Sequence, residues 1–300
     1  YQAKVILLSR RALPPQSKWQ SWLDSHDEQE SISRNIRLMQ ELRELGGHPL
    51  AVDVDVSDFK ALKKAMGIVV RQTGPVHGIF HSAGIADGAL IQSRQPLESQ
   101  QVFSAKVMGS QALLTLFRNS TLDFFVLCSS LSAQIGPVGQ VAYCAANAYQ
   151  QVLAQQYAAQ LPIKSIGWDS WREVGMAVDS LRAQRGDKED ALEAIRHGIL
   201  PEEGIEVIQR VLAYDYPDVA VSTRPLAQVY AGQDSAEPSK DDEDVHSQYH
   251  GRPDLASEFQ APAGELQERL ARLWQDRFGI APIGVKDDFF ELHGHSLMAV

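Results

Sequence analysis

Six short apolar runs rich in β-branched residues recur along the chain, each separated from the next by a longer segment of helical period. They are Val5–Ser9, Leu50–Val54, Val76–His81, Asp123–Cys128, Lys164–Trp168 and Val219–Ser222. Strands spaced in this way leave room for crossover helices, so they form βαβ units and a parallel sheet. The helical candidates between them are Ser33–Leu45, Asp58–Gln72, Leu97–Phe117, Ala142–Gln160 and Glu202–Tyr214. In the first of these, Ile36, Met39, Leu42 and Leu45 make one apolar face, and Gly46-Gly47 supplies the stop. The expected class is therefore α/β, with a doubly wound parallel sheet.

The pattern fails after Tyr230. Gly232 to Tyr249 holds almost no large aliphatic residue and includes the run Asp241-Asp242-Glu243-Asp244, which reads as a solvated linker. A second apolar-periodic stripe, Leu266, Leu270, Leu273 and Trp274, follows Gly264. The expected organisation is a large domain over 1–230, a linker over 231–262 and a small helical unit over 263–300. The net charge of −10 argues against nucleic acid and anionic lipid as partners, and no apolar run is long enough to span a membrane. Two cysteines, Cys128 and Cys144, fit neither a disulfide framework nor a zinc site, so no metal is expected and both are read as small core residues. With no secretory signal in Tyr1 to Arg11, the expected location is cytoplasmic.

The chemistry concentrates around Ser129-Ser130-Leu131, a loop containing Gly136 and Gly139, and Tyr143-Cys-Ala-Ala-Asn147. Hydroxyls leave a strand end, and Tyr143 opens a helix on which Asn147, four residues on, shares its face. Ligands of open α/β sheets sit at the carboxyl ends of strands. By themselves these residues also suit a buried tyrosine and a capping serine. Ser9-Arg10-Arg11, at the first strand's end, is equally either a surface pair or a phosphate site.

Leu8-Ser9-Arg10-Arg11, Asp55-Val56-Ser57-Asp58, His81-Ser82-Ala83-Gly84, Ala105-Lys106-Val107-Met108-Gly109, the Ser130/Tyr143 region and Trp168-Asp169-Ser170-Trp171 with Gly175-Met176-Ala177 follow one another in order. On these blocks, residues 1 to about 230 resemble the ketoreductase domain of modular polyketide synthases, a branch of the short-chain dehydrogenase/reductase superfamily. The resemblance implies a Rossmann-like sheet and a catalytic set of Tyr143, Ser130, Lys106 and Asn147. Asn147 stands where most short-chain reductases carry lysine, and Lys106, 37 residues before Tyr143, takes that role in this branch. Tyr143 would be the general acid for the developing alkoxide, and Ser130 a second donor to it. Lys106 would pull the phenol below its ordinary pKa, and Asn147 would position the lysine or a water.

The resemblance implies NADPH as cofactor, with Ser9, Arg10 and Arg11 toward the 2′-phosphate, where guanidinium groups bind bidentately. Asp55 and Val56 would border the adenine, although Asp55 could also cap a helix. Ala83 and Gly84 would face the nicotinamide side, and Trp171 and Met176 a substrate lid hinged near Gly175. Ala86-Asp87-Gly88 lacks the final aspartate of the Leu-Asp-Asp typical of D-hydroxyl formers, and Ile135 replaces the Trp of the opposite class. The lean is to an L-hydroxy product.

From about Gly251 the chain resembles the start of an acyl or peptidyl carrier protein, on Asp287-Asp288-Phe289-Phe290-Glu291-Leu292-His293-Gly294-His295-Ser296-Leu297, with His293 where Gly is usual. Ser296 would carry 4′-phosphopantetheine. The implied partners are the carrier, neighbouring synthase domains and a carrier-bound β-ketoacyl substrate. The competing readings are a free-standing short-chain dehydrogenase and a catalytically lapsed structural segment of a synthase. The glycine-rich phosphate loop is absent, so the chain is read as truncated at both ends, its sheet lacking the first strand and its all-α carrier incomplete. Val5–Ser9 and Leu50–Val54 should then pair with each other and not with the remaining strands, and the isolated chain should be inactive.

Overall fold

In a computed structural model, the described residues are 3–28, 30–88, 91, 94–183, 196–234, 250–253, 255, 257–288 and 291–292. They belong to two compact units, Tyr1–Tyr230 and Ala231–Val300.

In the first unit, β1 (Ile6–Ser9) and β2 (Leu50–Asp53) pair in parallel, Ile6 opposite Leu50. A second parallel sheet has the order β3-β4-β5-β6, from Gly78–His81, Phe124–Ser130, Ile163–Trp168 and Asp218–Ala220. No ladder joins the two sheets among the described residues, so the expected split in pairing is present. The helices are α1 (Trp19–Leu23), α2 (Ser31–Glu44), α3 (Phe59–Thr73), α4 (Pro96–Phe103), α5 (Gly109–Phe117), α6 (Ser132–Ile135), α7 (Val141–Tyr157), α8 (Met176–Ala183), α9 (Pro201–Ala213) and α10 (Leu226–Asp234).

Strand side chains alternate in direction, and both faces of the sheets are covered. Phe125 and Leu127 of β4 enter a core with Leu62, Met66 and Val69 of α3, Leu113 and Phe117 of α5 and Leu153 of α7. Ile6, Leu8, Leu50 and Val52 pack against that same core, so the two sheets share it without sharing a ladder. The opposite side of β4 and β5 sends Val126, Ile166 and Trp168 against Ile199 and Val211. Leu7 and Ala51 face Trp19, Ile36 and Met39.

The expected helix Leu97–Phe117 is interrupted. Between α4 and α5 lies one π-helical turn, Ser104–Met108, and Lys106 sits in its middle. A π turn widens the backbone by one residue and recurs at functional sites. Helices α1, α6, α8 and α10 were not expected, and α10 runs past Tyr230 into the segment read as linker.

In the second unit, α11 (Glu265–Phe278) carries the expected stripe, with Leu266, Leu270 and Leu273 exposed. The all-α expectation needs correction, because His250–Gly251 (β7) and Ile280–Ala281 (β8) form a parallel pair. Asp287 is held there by Arg252, Ser257 and the Gly284 N–H, and these bonds fasten the two segments that flank the strands. No helix among the described residues is long and apolar enough to cross a membrane. No group of three potential metal ligands occurs among them either.

Candidate active site

The carboxyl ends of β3 and β4 deliver His81 and Ser130, and α7 presents Tyr143 and Asn147 toward them. Lys106 is 2% exposed, with its Nζ 5.6 Å from the centre of the Tyr143 ring. Ser130 and Asn147 both lie near enough to the Tyr143 side chain to pull its pKa down. The four residues expected to act together are therefore in one place. Asn147 is wholly buried, its Nδ2 donates to the Tyr143 carbonyl at 2.7 Å, and its Oδ1 has no hydrogen-bond partner. Ser129 Oγ donates to the Asn147 carbonyl and ties β4 to α7.

One expectation is overturned. Burial pushes the Tyr143 phenol above its ordinary pKa, outweighing the polar groups of Ser130 and Asn147 that pull it down. Lys106 does not reverse this, because its ammonium is engaged elsewhere: Nζ donates to the Cys128 carbonyl at 2.7 Å and to Gln150 Oε1 at 3.3 Å. Burial also lowers the Lys106 pKa to about 8. The lysine stands over the ring face of the tyrosine, bonded to backbone, rather than beside its hydroxyl.

Gln150 escaped the sequence reading. It is wholly buried, accepts from Lys106 and donates to Ser110 Oγ at 3.1 Å. Its spacing, seven residues after Tyr143 and three after Asn147, places it on the same helical face and was a usable signal. His81 also escaped notice. Desolvation, with the Lys106 charge second, lowers its pKa to about 4, so the ring is neutral beside the lysine. Its ring packs against Gly109 at the end of the π turn, and its Nε2 has no hydrogen-bond partner.

Among the expected cofactor residues, Ser9 Oγ accepts from the Arg11 N–H, Arg11 reaches Ser31 Oγ, and the Arg10 charge acts on Asp55. Asp55 does not cap the helix. Its carboxylate accepts from both the N–H and the hydroxyl of Ser57, while Asp58 caps α3 through the Ala61 N–H. Burial works to raise the Asp55 pKa, but the Ser57 bonds and Arg10 leave it lowered. Val56 packs on Gly109, and Ala83 is exposed. A Cβ on Gly84 would lie 3.2 Å from Lys106 Cε and 3.4 Å from Met176 Cε, so only glycine admits both at ordinary contact. Met176 thus joins the site, but Trp171 does not. Its ring lies 5.1 Å from that of Trp168 and is pressed onto Gly204 of α9. Cys128 packs at the edge of the second core, and Cys144 is half-buried. Ser296 lies outside the described residues.

Residues 2–173 match the family model described as KR domain. The chain belongs to the KR domain family. Among curated relatives, it is 32% identical over 223 residues to 6-methylsalicylic acid synthase of Aspergillus terreus, covering 73% of this chain and 12% of that protein. It is 28% identical over 242 residues to polyketide synthase PksL of Bacillus subtilis, covering 79% and 5%. This KR domain chain therefore spans a small part of the synthases it matches. Among solved structures, one of A-type ketoreductases from modular polyketide synthase aligns with TM-score 0.60 at 25% identity, over 78% of this chain and 45% of that one. NAD+-bound xylitol dehydrogenase, 15% identical with TM-score 0.56, shares the fold over 74% of this chain and 88% of its own. KR domains are oxidoreductases, and their fold implies a nicotinamide cofactor.

Proposed function

We propose that this KR domain reduces the ketone of a carrier-bound β-ketoacyl thioester to a β-hydroxyacyl thioester with NADPH. The reading is carried by the convergence of Tyr143, Ser130, Lys106 and Asn147 at the carboxyl strand ends, inside a chain of KR ancestry. Bound NADPH supplies the hydride that the ketone carbon accepts. The Tyr143 hydroxyl gives its proton to the ketone oxygen as charge develops there, and Ser130 donates a hydrogen bond to the same oxygen. A phenol with a raised pKa holds its proton until that charge appears. Lys106 and Asn147 stand behind it, and the unpartnered Oδ1 of Asn147 suits a water that returns the proton.

The residues fit the cofactor at two points. Ser9, Arg10 and Arg11 offer cationic donors at the end of β1, the side where a 2′-phosphate selects NADPH over NADH. Gly84 offers the small surface that a nicotinamide ring needs. Asp55 and Val56, on the loop that Asp55 braces through Ser57, are assigned to the adenine end.

The substrate class rests on the synthase relatives and on the sequence after Asp287, which supports a carrier with 4′-phosphopantetheine on Ser296. An acyl carrier protein and adjoining synthase domains are the partners, and L-hydroxy is the proposed product. The test is Tyr143→Phe in the intact protein, assayed on a β-ketoacyl thioester. Reduction should fall by about 100-fold or more while NADPH binding persists. Full turnover by that variant would remove Tyr143 from the role.

A further inference from the structure

Helix α7 carries the proton donor, yet its own N-cap residue does not cap it. Gln140 makes no side-chain cap hydrogen bond, whereas Asp87, 56 residues earlier, accepts from the Tyr143 N–H at 3.1 Å. Tyr143 is the third residue of the helix, the position whose amide an N-cap side chain ordinarily satisfies. The cap is therefore supplied from a remote loop. That carboxylate is almost wholly buried, 4% exposed, and is paired with Arg94, 8% exposed, which also donates to Ser99 of α4. A buried carboxylate held by a cation and an amide is fixed in space in a way that a mobile surface side chain is not. The backbone of Gly88 lies against Gly139, whose positive φ of 77° turns the chain into α7, so the two loops also meet directly.

We propose that Asp87, held by Arg94, is a positioning residue for the reduction: it caps α7 from outside the helix and thereby sets where the Tyr143 hydroxyl stands. The residue that receives the cap is the proton donor itself, so fraying of this first turn moves the phenol directly. The proposal rests on the reductase reading for its kinetic consequence, although the cap itself does not depend on it.

The test uses the intact protein with Asp87→Ala and Arg94→Met together, so that no buried charge is stranded. A misplacement of about an ångström at a reacting group can cost roughly 100-fold, so kcat should fall by between about 10-fold and 100-fold. The NADPH Kd should stay within about twofold. Adding Gln140→Asp restores a local cap and should recover most of the lost kcat. Hydrogen exchange at the amides of Ala142 to Cys144 should quicken in the double variant and slow again in the triple. An unchanged kcat in a folded double variant, a loss that appears equally in cofactor Kd, or a loss that Gln140→Asp leaves in place would overturn the proposal. If the parent protein reduces no β-ketoacyl thioester, the reductase reading fails, and the exchange measurements still decide the cap. Unchanged exchange at those amides in the double variant would overturn the proposal in that case too.

Discussion

Lys106 can be moved on the pH axis through a residue that the reaction does not touch. Its ammonium is buried, has a pKa lowered to about 8, and keeps its charge with two acceptors, the Cys128 carbonyl and Gln150 Oε1. Gln150→Leu removes the second acceptor. A hydrogen bond to a charged group is worth roughly 1.5–3 kcal/mol, and a pKa unit is about 1.4 kcal/mol. At 3.3 Å the bond is long, so the lower end applies and the lysine pKa should drop by about one further unit. Gln150→Glu replaces the amide by a carboxylate and should move it upward. Because the protonated lysine stands over the Tyr143 ring, where negative charge grows as the phenol gives up its proton, the alkaline limb of the kcat–pH profile should begin near 8 in the parent, about a unit lower in Gln150→Leu and higher in Gln150→Glu. The assay is ketone reduction from pH 6 to 10 under saturating cofactor. Alkaline limbs that coincide in all three proteins, or that shift in one common direction, would refute the reasoning.

Replacing Arg10 by Ala should weaken NADPH far more than NADH, since only the 2′-phosphate loses a partner; equal losses by calorimetry would count against the cofactor assignment. Gly204→Ala places a methyl about 2.1 Å from the Trp171 ring, so the melting temperature should fall with a cost of about 1–3 kcal/mol, and no fall would show that the ring can yield. His81 is held neutral with a pKa lowered from 6.5 to about 4, so the unfolded chain binds the extra proton between those values. Stability should therefore be complete above about pH 6.5, decline as pH falls toward 4, and decline less in His81→Gln, as acid titrations of folding free energy would reveal.

All six strands of the first unit were legible, because each apolar run is long enough and β-branched enough to be nothing else between helices of clear period. The split between β1-β2 and the other four was expected from the Rossmann strand order together with the missing first strand. The π turn was not legible: Ser104 to Met108 reads as ordinary helix in the sequence. The four acting side chains were visible as a family pattern, but their hydrogen bonds were not. Asp87, paired with Arg94, meets Tyr143 across 56 residues that no spacing rule connects, whereas Gln150 lay within reach of a helical-face argument. The second unit was misjudged as purely helical because two-residue strands leave no periodic trace.

The π turn lies between two parts of the site, the Asp55 loop and Tyr143. Its first residue, Ser104, donates to Ser57 Oγ at 2.9 Å, and Ser57 donates in turn to Asp55 at 2.7 Å, on the loop that follows β2 and feels the Arg10 charge. Two residues on, Lys106 leaves the same turn toward Cys128, Gln150 and the Tyr143 ring. A straight α-helix would face residues three or four apart in one direction. Ser104 and Lys106, only two apart, point away from each other and meet polar partners on different elements. His81 backs the turn from β3 without adding charge, since its ring stays neutral while the lysine is protonated. The Asp55 loop is thus bonded to one residue of the turn, and another residue of the same turn, Lys106, stands over the face of the proton donor.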